Sequence, residues 1–317
     1  MKSFLVVLAL TSALAVQAQT YPSKPVRIVT VSAPGSILDI APRQLADKLG
    51  PALGQPVIVD NKPGAGGQIA MEAVAKSAPD GHVLGICNFV QLAVNPSMFD
   101  RLTYDPVKDF SPVILLYTAP LVLTVHPGVP ANTLAELVAL VKAQPGKVFY
   151  GSSGNGQPPH VLTELFKHLA RIDVQHVPYK GAAASALAIV AGEVAVNMES
   201  ASAVIPHIKS GRLKALAITG DKRMATLPQT PTFGEAGVSG MSDSWIAIVA
   251  PAGTPPQIIA RLNREFARAL EAPELMAYYE AAGRNIVASS PEALAALIRD
   301  EIPRWREVVK AAGIRPG

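Results

Sequence analysis

Val29-Thr30-Val31-Ser32-Ala33-Pro34-Gly35-Ser36-Ile37-Leu38-Asp39 is a β-branched run that breaks at Pro-Gly and resumes at once with an apolar, acid-containing helix start. β-Branched residues favour strands and Pro-Gly marks a turn, so the stretch reads as a strand whose carboxyl end opens directly into a helix. Outward from it the same rhythm continues. The strand begins at Val26-Arg27-Ile28, a helix follows over residues 40–53, and Val57-Ile58-Val59 is the next strand. A helix near 69–76 and strands at 83–87 and 113–118 come after it. Short apolar strands alternating with longer helical periods predict an α/β protein with mostly parallel sheets flanked by helices.

Leu121-Val122-Leu123-Thr124-Val125 is a point where the chain can cross into a second unit. Between Pro130 and Gly240 helices and strands alternate again, giving a second α/β unit. A Gly and Ser-rich stretch over 237–244 precedes a strand at 245–250, and three helical patterns then run to the end of the chain. Crossings near 121 and 245 predict two lobes, 19–121 with 245–317 and 122–244, joined by a two-strand hinge. Clefts between such lobes, outside the carboxyl ends of strands, are where ligands bind in open α/β folds.

Composition narrows the function. Of 317 residues, 49% are hydrophobic and only 5% aromatic, and the net charge is a modest +4 with no clustered basic run. Nucleic-acid binding is therefore not expected. Residues 1–18 carry Lys2, an apolar run from Phe4, and the small-residue end Val16-Gln17-Ala18, the layout of a secretory signal peptide cut after Ala18. Cys87 is the sole cysteine and reads as a small buried apolar residue. The six histidines lack metal-ligand spacing, and no G-x-x-x-x-G-K-[ST] loop is present. Gly64-Ala65-Gly66-Gly67 lacks the third glycine of a dinucleotide fingerprint. No cofactor or metal is expected.

Three strand-to-helix turns are candidates for ligand contact. In the first, Gly35 permits close backbone approach, and the amides of Ser36, Ile37 and Leu38 stand at a positive helix end suited to an anion. An alternative stays open here, that Ser36 and Asp39 form an ordinary capping box. The second, Tyr150-Gly151-Ser152-Ser153-Gly154-Asn155-Gly156, offers hydroxyls and exposed amides to a carboxylate, or is a flexible turn. It lacks the G-x-S-x-G spacing, and His160 has no evident acidic orienter, so Ser152 and Ser153 are not read as nucleophiles. The third, Val177-Pro178-Tyr179-Lys180-Gly181-Ala182, adds a cation and an aromatic ring, although a lysine at a helix start is commonly a solvated surface residue.

A series of signposts then spans the whole chain in order. They are Tyr21-Pro22-Ser23-Lys24-Pro25-Val26-Arg27, Ala33-Pro34-Gly35 with Asp39, Asp60-Asn61-Lys62-Pro63-Gly64-Ala65-Gly66-Gly67, Ala78-Pro79-Asp80-Gly81 and Asn95-Pro96-Ser97. Tyr104-Asp105-Pro106-Val107-Lys108-Asp109-Phe110, Tyr150-Gly151-Ser152-Ser153-Gly154, His176-Val177-Pro178-Tyr179-Lys180-Gly181 and Ala250-Pro251-Ala252-Gly253-Thr254-Pro255 complete them. The chain resembles the Bug receptors, TctC-like extracytoplasmic solute-binding components of tripartite tricarboxylate transporters.

That resemblance implies a two-lobed periplasmic binding protein of the type II kind, not an enzyme. Such a monomer would hold a small carboxylate between its lobes and serve membrane permease subunits. Carried over by position, it implies ligand contacts at Pro34, Gly35 and Ser36, at Asn88 and its following residues, at Ser152, Ser153 and Gly154, and at Tyr179, Lys180, Gly181 and Ala182. Glu199 stands where the family often has Asp, facing an amino or hydroxyl group of the guest. Ile37 and Leu38 in the first turn, and Phe89 and Val90 in Cys87-Asn88-Phe89-Val90-Gln91, depart from the family's small polar pattern. They point to an aromatic or larger monocarboxylate, unless these side chains pack into the lobe. A periplasmic sensor presenting its liganded form to a signalling receptor is the other reading the sequence leaves open.

Overall fold

A computed structural model describes residues 21–315, so the signal segment read at 1–18 lies outside the described residues. In chain order the elements are β1 (Val26–Thr30), α1 (Ile37–Leu53), β2 (Val57–Asn61), α2 (Gln68–Ala75), β3 (Val83–Asn88), α3 (Asn95–Met98), β4 (Phe110–Ala119) and β5 (Leu121–Val125). There follow α4 (Leu134–Ala143), β6 (Phe149–Ser152), α5 (Pro158–Ala170), β7 (Gln175–Pro178), α6 (Ala182–Val190), β8 (Val196–Ser200), α7 (Ala201–Lys209) and β9 (Lys214–Ile218). The last are β10 (Ser244–Pro251), α8 (Pro256–Leu270), α9 (Pro273–Ala281), β11 (Asn285–Ile286) and α10 (Pro291–Ala312).

Two sheets result, one ordered β11-β4-β10-β3-β1-β2 and the other β7-β6-β8-β5-β9. Strand β1 pairs in parallel with both β2 and β3, and β6 in parallel with β7 and β8. Strands β10 and β5, however, run antiparallel to their neighbours. The two-lobed α/β architecture expected from the sequence is present, with sheets that are mixed rather than mostly parallel. The reason is topological: a strand entered by crossing from the other lobe arrives at the opposite end of the sheet from one entered after a helix.

Helix boundaries follow local chemistry. Helix α10 starts at Ser290, whose side chain accepts from Ala293 N, with Pro291 at the first helical position, and stops at left-handed Gly313. Helix α4 starts at Thr133, whose hydroxyl accepts from Glu136 N at 3.2 Å while Glu136 accepts from Asn132 N at 2.7 Å.

The core of the first lobe centres on Phe89, which is fully buried. Its ring lies 5.2 Å from that of Trp305 and 6.4 Å from that of Trp245. Both indole N–H groups donate to Glu301 Oε2, at 3.0 Å from Trp245 and 3.2 Å from Trp305. Burial raises the Glu301 pKa, and the two indole hydrogen bonds draw it partly back. Phe89 and Val90 thus pack into the lobe, correcting the expectation that they reach a ligand. Helix α10 packs on the first sheet and also against α5 of the second, so it braces both lobes from one side.

The chain passes from β4 to β5 across a single residue, Pro120, and returns at Ser244, which pairs with Ala119. Thr219 ties the two passages together. Its N–H donates to Leu121 O at 3.0 Å, its Oγ1 accepts from Leu121 N at 2.9 Å, and the same hydroxyl donates to Asp243 Oδ1 at 2.7 Å. Burial pushes Asp243 up to about 6, against hydrogen bonds from Thr219 and Thr118. Gly220 sits here at φ +80°, and a Cβ on it would collide with the Asp243 carboxylate.

The second lobe contains a compact polar core. The rings of His160 and His176 stack 4.0 Å apart at 7°. His176 Nε2 is 2.6 Å from Ser152 Oγ, and His160 Nδ1 accepts from Gly156 N at 2.9 Å. Together they clamp the loop 152–156. Burial holds both imidazoles down to about 4, His176 being lowered further by His160.

Three outcomes are expected. Trp305→Ala removes a fully buried indole and costs about 3–5 kcal/mol in urea unfolding. Gly220→Ala costs at least about 1–3 kcal/mol from its positive φ alone. For His160 the folded pKa lies below the unfolded value, so the unfolded chain takes up the proton first, and stability present above pH ~6.5 is lost as pH falls toward 4. The stability gap between the natural chain and His160→Gln therefore shrinks by about 3 kcal/mol between pH 7 and pH 4. A gap independent of pH would contradict a neutral, buried His160.

Candidate functional site

A cavity of about 760 Å³ lies between the two sheets. Its walls come from both: Ser32, Gly35, Ser36, Ile37, Leu38, Asn88, Ser244 and Ile246 from the first, and Ser153, Gln157, Pro158, Pro159, Gly181, Ala182, Ala183, Ala186, Leu187, Glu199, Ser200, Ser202, Ala203 and His207 from the second. Ala119 and Leu121, on either side of the crossing residue Pro120, close the back. Surface grooves of about 720 and 800 Å³ also exist among the described residues, but each is lined by the first lobe alone.

Four helices begin at this cavity, α1 after Ser36, α5 after Gln157, α6 after Gly181 and α7 after Ser200. The first N–H groups of any helix have no partner within it, and the helix dipole places partial positive charge there. Among the described residues, no lysine or arginine lines the cavity. What the cavity can offer an anion is therefore the backbone amides of α1, α6 and α7, since Pro158 and Pro159 remove two donors from α5.

At α1 the capping-box alternative is settled by the hydrogen bonds. The Asp39 carboxylate reaches back to accept from Gly35 N at 2.8 Å, but the Ser36 side chain caps nothing. Asp39 is held by Arg43 Nε at 2.9 Å and Asn61 Nδ2 at 2.9 Å. The Arg43 hydrogen bond, with those from Gly35 and Asn61, lowers it to about 2. The charge of Asp39 is thus spent inside the first lobe, and Ser36 Oγ is left buried without a partner.

Two further buried atoms without a partner belong to cavity-lining residues, Glu199 Oε2 and His207 Nδ1. Glu199 is 2% exposed, and its other oxygen accepts from Ser200 N at 2.9 Å. Burial pushes its pKa up to about 7, with the Ser200 amide and the Ser153 and Ser200 hydroxyls drawing it back. Burial also lowers His207, helped by Arg212.

Among the residues singled out from sequence, Gly35, Ser36, Ile37, Asn88, Ser153, Gly181, Ala182 and Glu199 meet at this cavity. Pro34 and Lys180 are exposed, and neither lines the cavity. Tyr179 turns away, its hydroxyl donating to Glu193 at 3.2 Å. Ser152 is fully buried and its Oγ engages His176 and the Gly154 amide, which places both Ser152 and Gly154 in support of the loop. Phe89 is in the core of the first lobe. Sequence reading did not single out the start of α7 as a ligand-contacting turn, because Met198-Glu199-Ser200-Ala201-Ser202 passes from strand to helix with no Gly or Pro to mark it. The alternation of strand and helix was the signal that pointed to it.

Known proteins share this architecture. A chain from Rhodopseudomonas palustris named Rpa4515, solved with adipate, is 33% identical and matches 94% of this chain and 100% of its own with a TM-score of 0.81. The MatC protein of the same organism, solved with bound malate, is 31% identical, with 91% and 100% covered and a TM-score of 0.79. The BugT protein of Bordetella pertussis is 37% identical over 302 residues, 95% of this chain and 93% of its own length. The sequence profile of the tripartite tricarboxylate transporter family receptor, TctC, matches residues 41–314, and the chain belongs to that family of periplasmic solute-binding proteins.

Proposed function

We propose that this protein captures a small organic anion, a carboxylate bearing an apolar part, in the cleft between its lobes and delivers it to permease subunits of a tripartite transporter in the membrane. The observation that carries this reading is the convergence of helix starts from both sheets on a cavity without lysine or arginine. A carboxylate seated on these amides would join the lobes, so that binding favours closure about the Pro120 and Ser244 passages. In this reading the two lobes meet at the crossings near 121 and 245. No covalent step is needed, and a single copy contains the whole cleft. Export follows from the signal segment, with cleavage after Ala18.

Apolar side chains give the ligand its second feature. Ile37, Leu38, Leu121, Ala186 and Ile246 line the cavity, and Leu187, 59% exposed, stands among them. Each contributes affinity only by covering apolar area of the guest, at roughly 25 cal/mol per Å². The case for an aromatic or longer-chain acid thus rests on these residues, with Phe89 and Val90 assigned to the core.

Mass spectrometry of the small molecules released from purified, denatured protein is expected to show a carboxylic acid. In thermal-shift screening, benzoate-like acids should raise Tm more than succinate or glutamate. A clear preference for the two compact dicarboxylates would remove the apolar part of the reading. Ala183→Asp places a like charge at the start of α6 without burying it, since Ala183 is exposed. A helix start tolerates Asp, so Tm should hold while affinity for the bound acid drops at least about tenfold at low salt.

A further inference from the structure

We propose that Glu199 meets the captured acid in its protonated form and donates its O–H to a carboxylate oxygen of the guest, so that each binding event takes up a proton from solvent. The inference rests on the carboxylate reading and deepens it. It begins from the placement of one side chain. Glu199 stands at the end of β8, opposite Val122 of β5, within the lining of the cleft. It is 2% exposed, and of its two oxygens one is fixed by the Ser200 amide while Oε2 has no partner. A carboxyl oxygen buried without a partner is costly, and a guest seated in the cavity that Glu199 lines would complete it.

The charges around it decide which form does this. Ser153 on the loop after β6 and Ser200 at the start of α7 are its polar neighbours, and neither carries charge. From α1 the cavity receives Ser36, Ile37 and Leu38, from β3 Asn88, from β10 Ser244 and Ile246, and from α6 Ala182, Ala183, Ala186 and Leu187. His207 on α7 is the only other titratable residue of the lining, and burial and Arg212 keep it toward the neutral form. Asp39 and Arg43 satisfy each other within the first lobe, and Lys180 lies outside the lining. Among the described residues, no lysine or arginine of the lining compensates an ionised Glu199.

Two anions held together in one cleft repel, and the guest's charge displaces the titration of Glu199 further in the direction that burial has already set. Protonation converts that repulsion into a charge-assisted O–H···O⁻ hydrogen bond, among the short and strong kinds. The same geometry sets specificity. An amino-bearing acid would instead favour ionised Glu199 and expel the proton.

Isothermal titration calorimetry of the full mature chain, with adipate and benzoate as probes in phosphate, HEPES and Tris, reads the proton count directly. At pH 8 close to one proton is expected to be taken up per probe bound, and little at pH 6, with affinity falling roughly tenfold for each pH unit above 7. Glu199→Gln keeps a hydrogen-bond donor of similar shape and should bind the probe with no proton uptake and a flat pH profile. A probe that binds the natural chain at pH 8 without proton uptake overturns the role of Glu199 and leaves carboxylate capture standing. Uptake that survives in Glu199→Gln, or tighter binding of glutamate with proton release, overturns it as well. Failure of both probes to bind the natural chain overturns the carboxylate reading and this inference with it.

Discussion

The first turn of an α-helix leaves N–H groups that the helix itself has no means of bonding. Everything else at the cleft depends on where those groups point. Here α1 from one sheet and α6 and α7 from the other all begin at the same cavity. Amides are fixed in space by the helices behind them and carry only partial charge. They can therefore attract an anion without the desolvation and side-chain ordering that a buried lysine or arginine requires. A guest that bonds amides from both lobes also becomes the contact between them, which couples occupancy to the distance between lobes.

The remaining polar groups are arranged so that this positive field is not consumed internally. Asp39 is negative at the start of α1, but it is drawn off by Gly35, Arg43 and Asn61. The stacked pair His160 and His176 holds the Ser152–Gly156 loop from behind, in the neutral form that burial enforces. Phe89, Trp245 and Trp305 with Glu301 give the first lobe a rigid floor, and α10 carries that rigidity to α5. Thr219 and Asp243 bind the two passages between sheets to each other beside Pro120 and Ser244.

Glu199 is the exception to this economy. It is buried, half-satisfied and uncompensated, in a family whose related structures hold adipate and malate. A polar group that a fold leaves incomplete in its interior is ordinarily completed by ligand or water, and at this place the ligand is the nearer of the two to function. The apolar faces of Ile37, Leu187 and Ile246 sit around the same space, so polar and apolar demands on the guest are imposed together.

The order of strands and helices, the two crossings and the three glycine-marked turns were legible in the sequence, because strand and helix periodicity and Pro-Gly punctuation are local properties. Gly35, Ser36, Ile37, Ser153, Gly181 and Ala182 were found in this way and do line the cavity. The start of α7 was harder to see, because Glu199-Ser200-Ala201 carries no breaker. Side-chain direction was not legible at all: Phe89 and Asn88 are neighbours in sequence, yet one enters the core and the other the cleft. By itself, then, the sequence determined which segments become strands and helices and which turns are open to backbone approach. Only the tertiary structure decided which helix starts face one another, which carboxylate is compensated and which is not. Those outcomes depend on contacts between residues far apart in the chain, and no local pattern carries them.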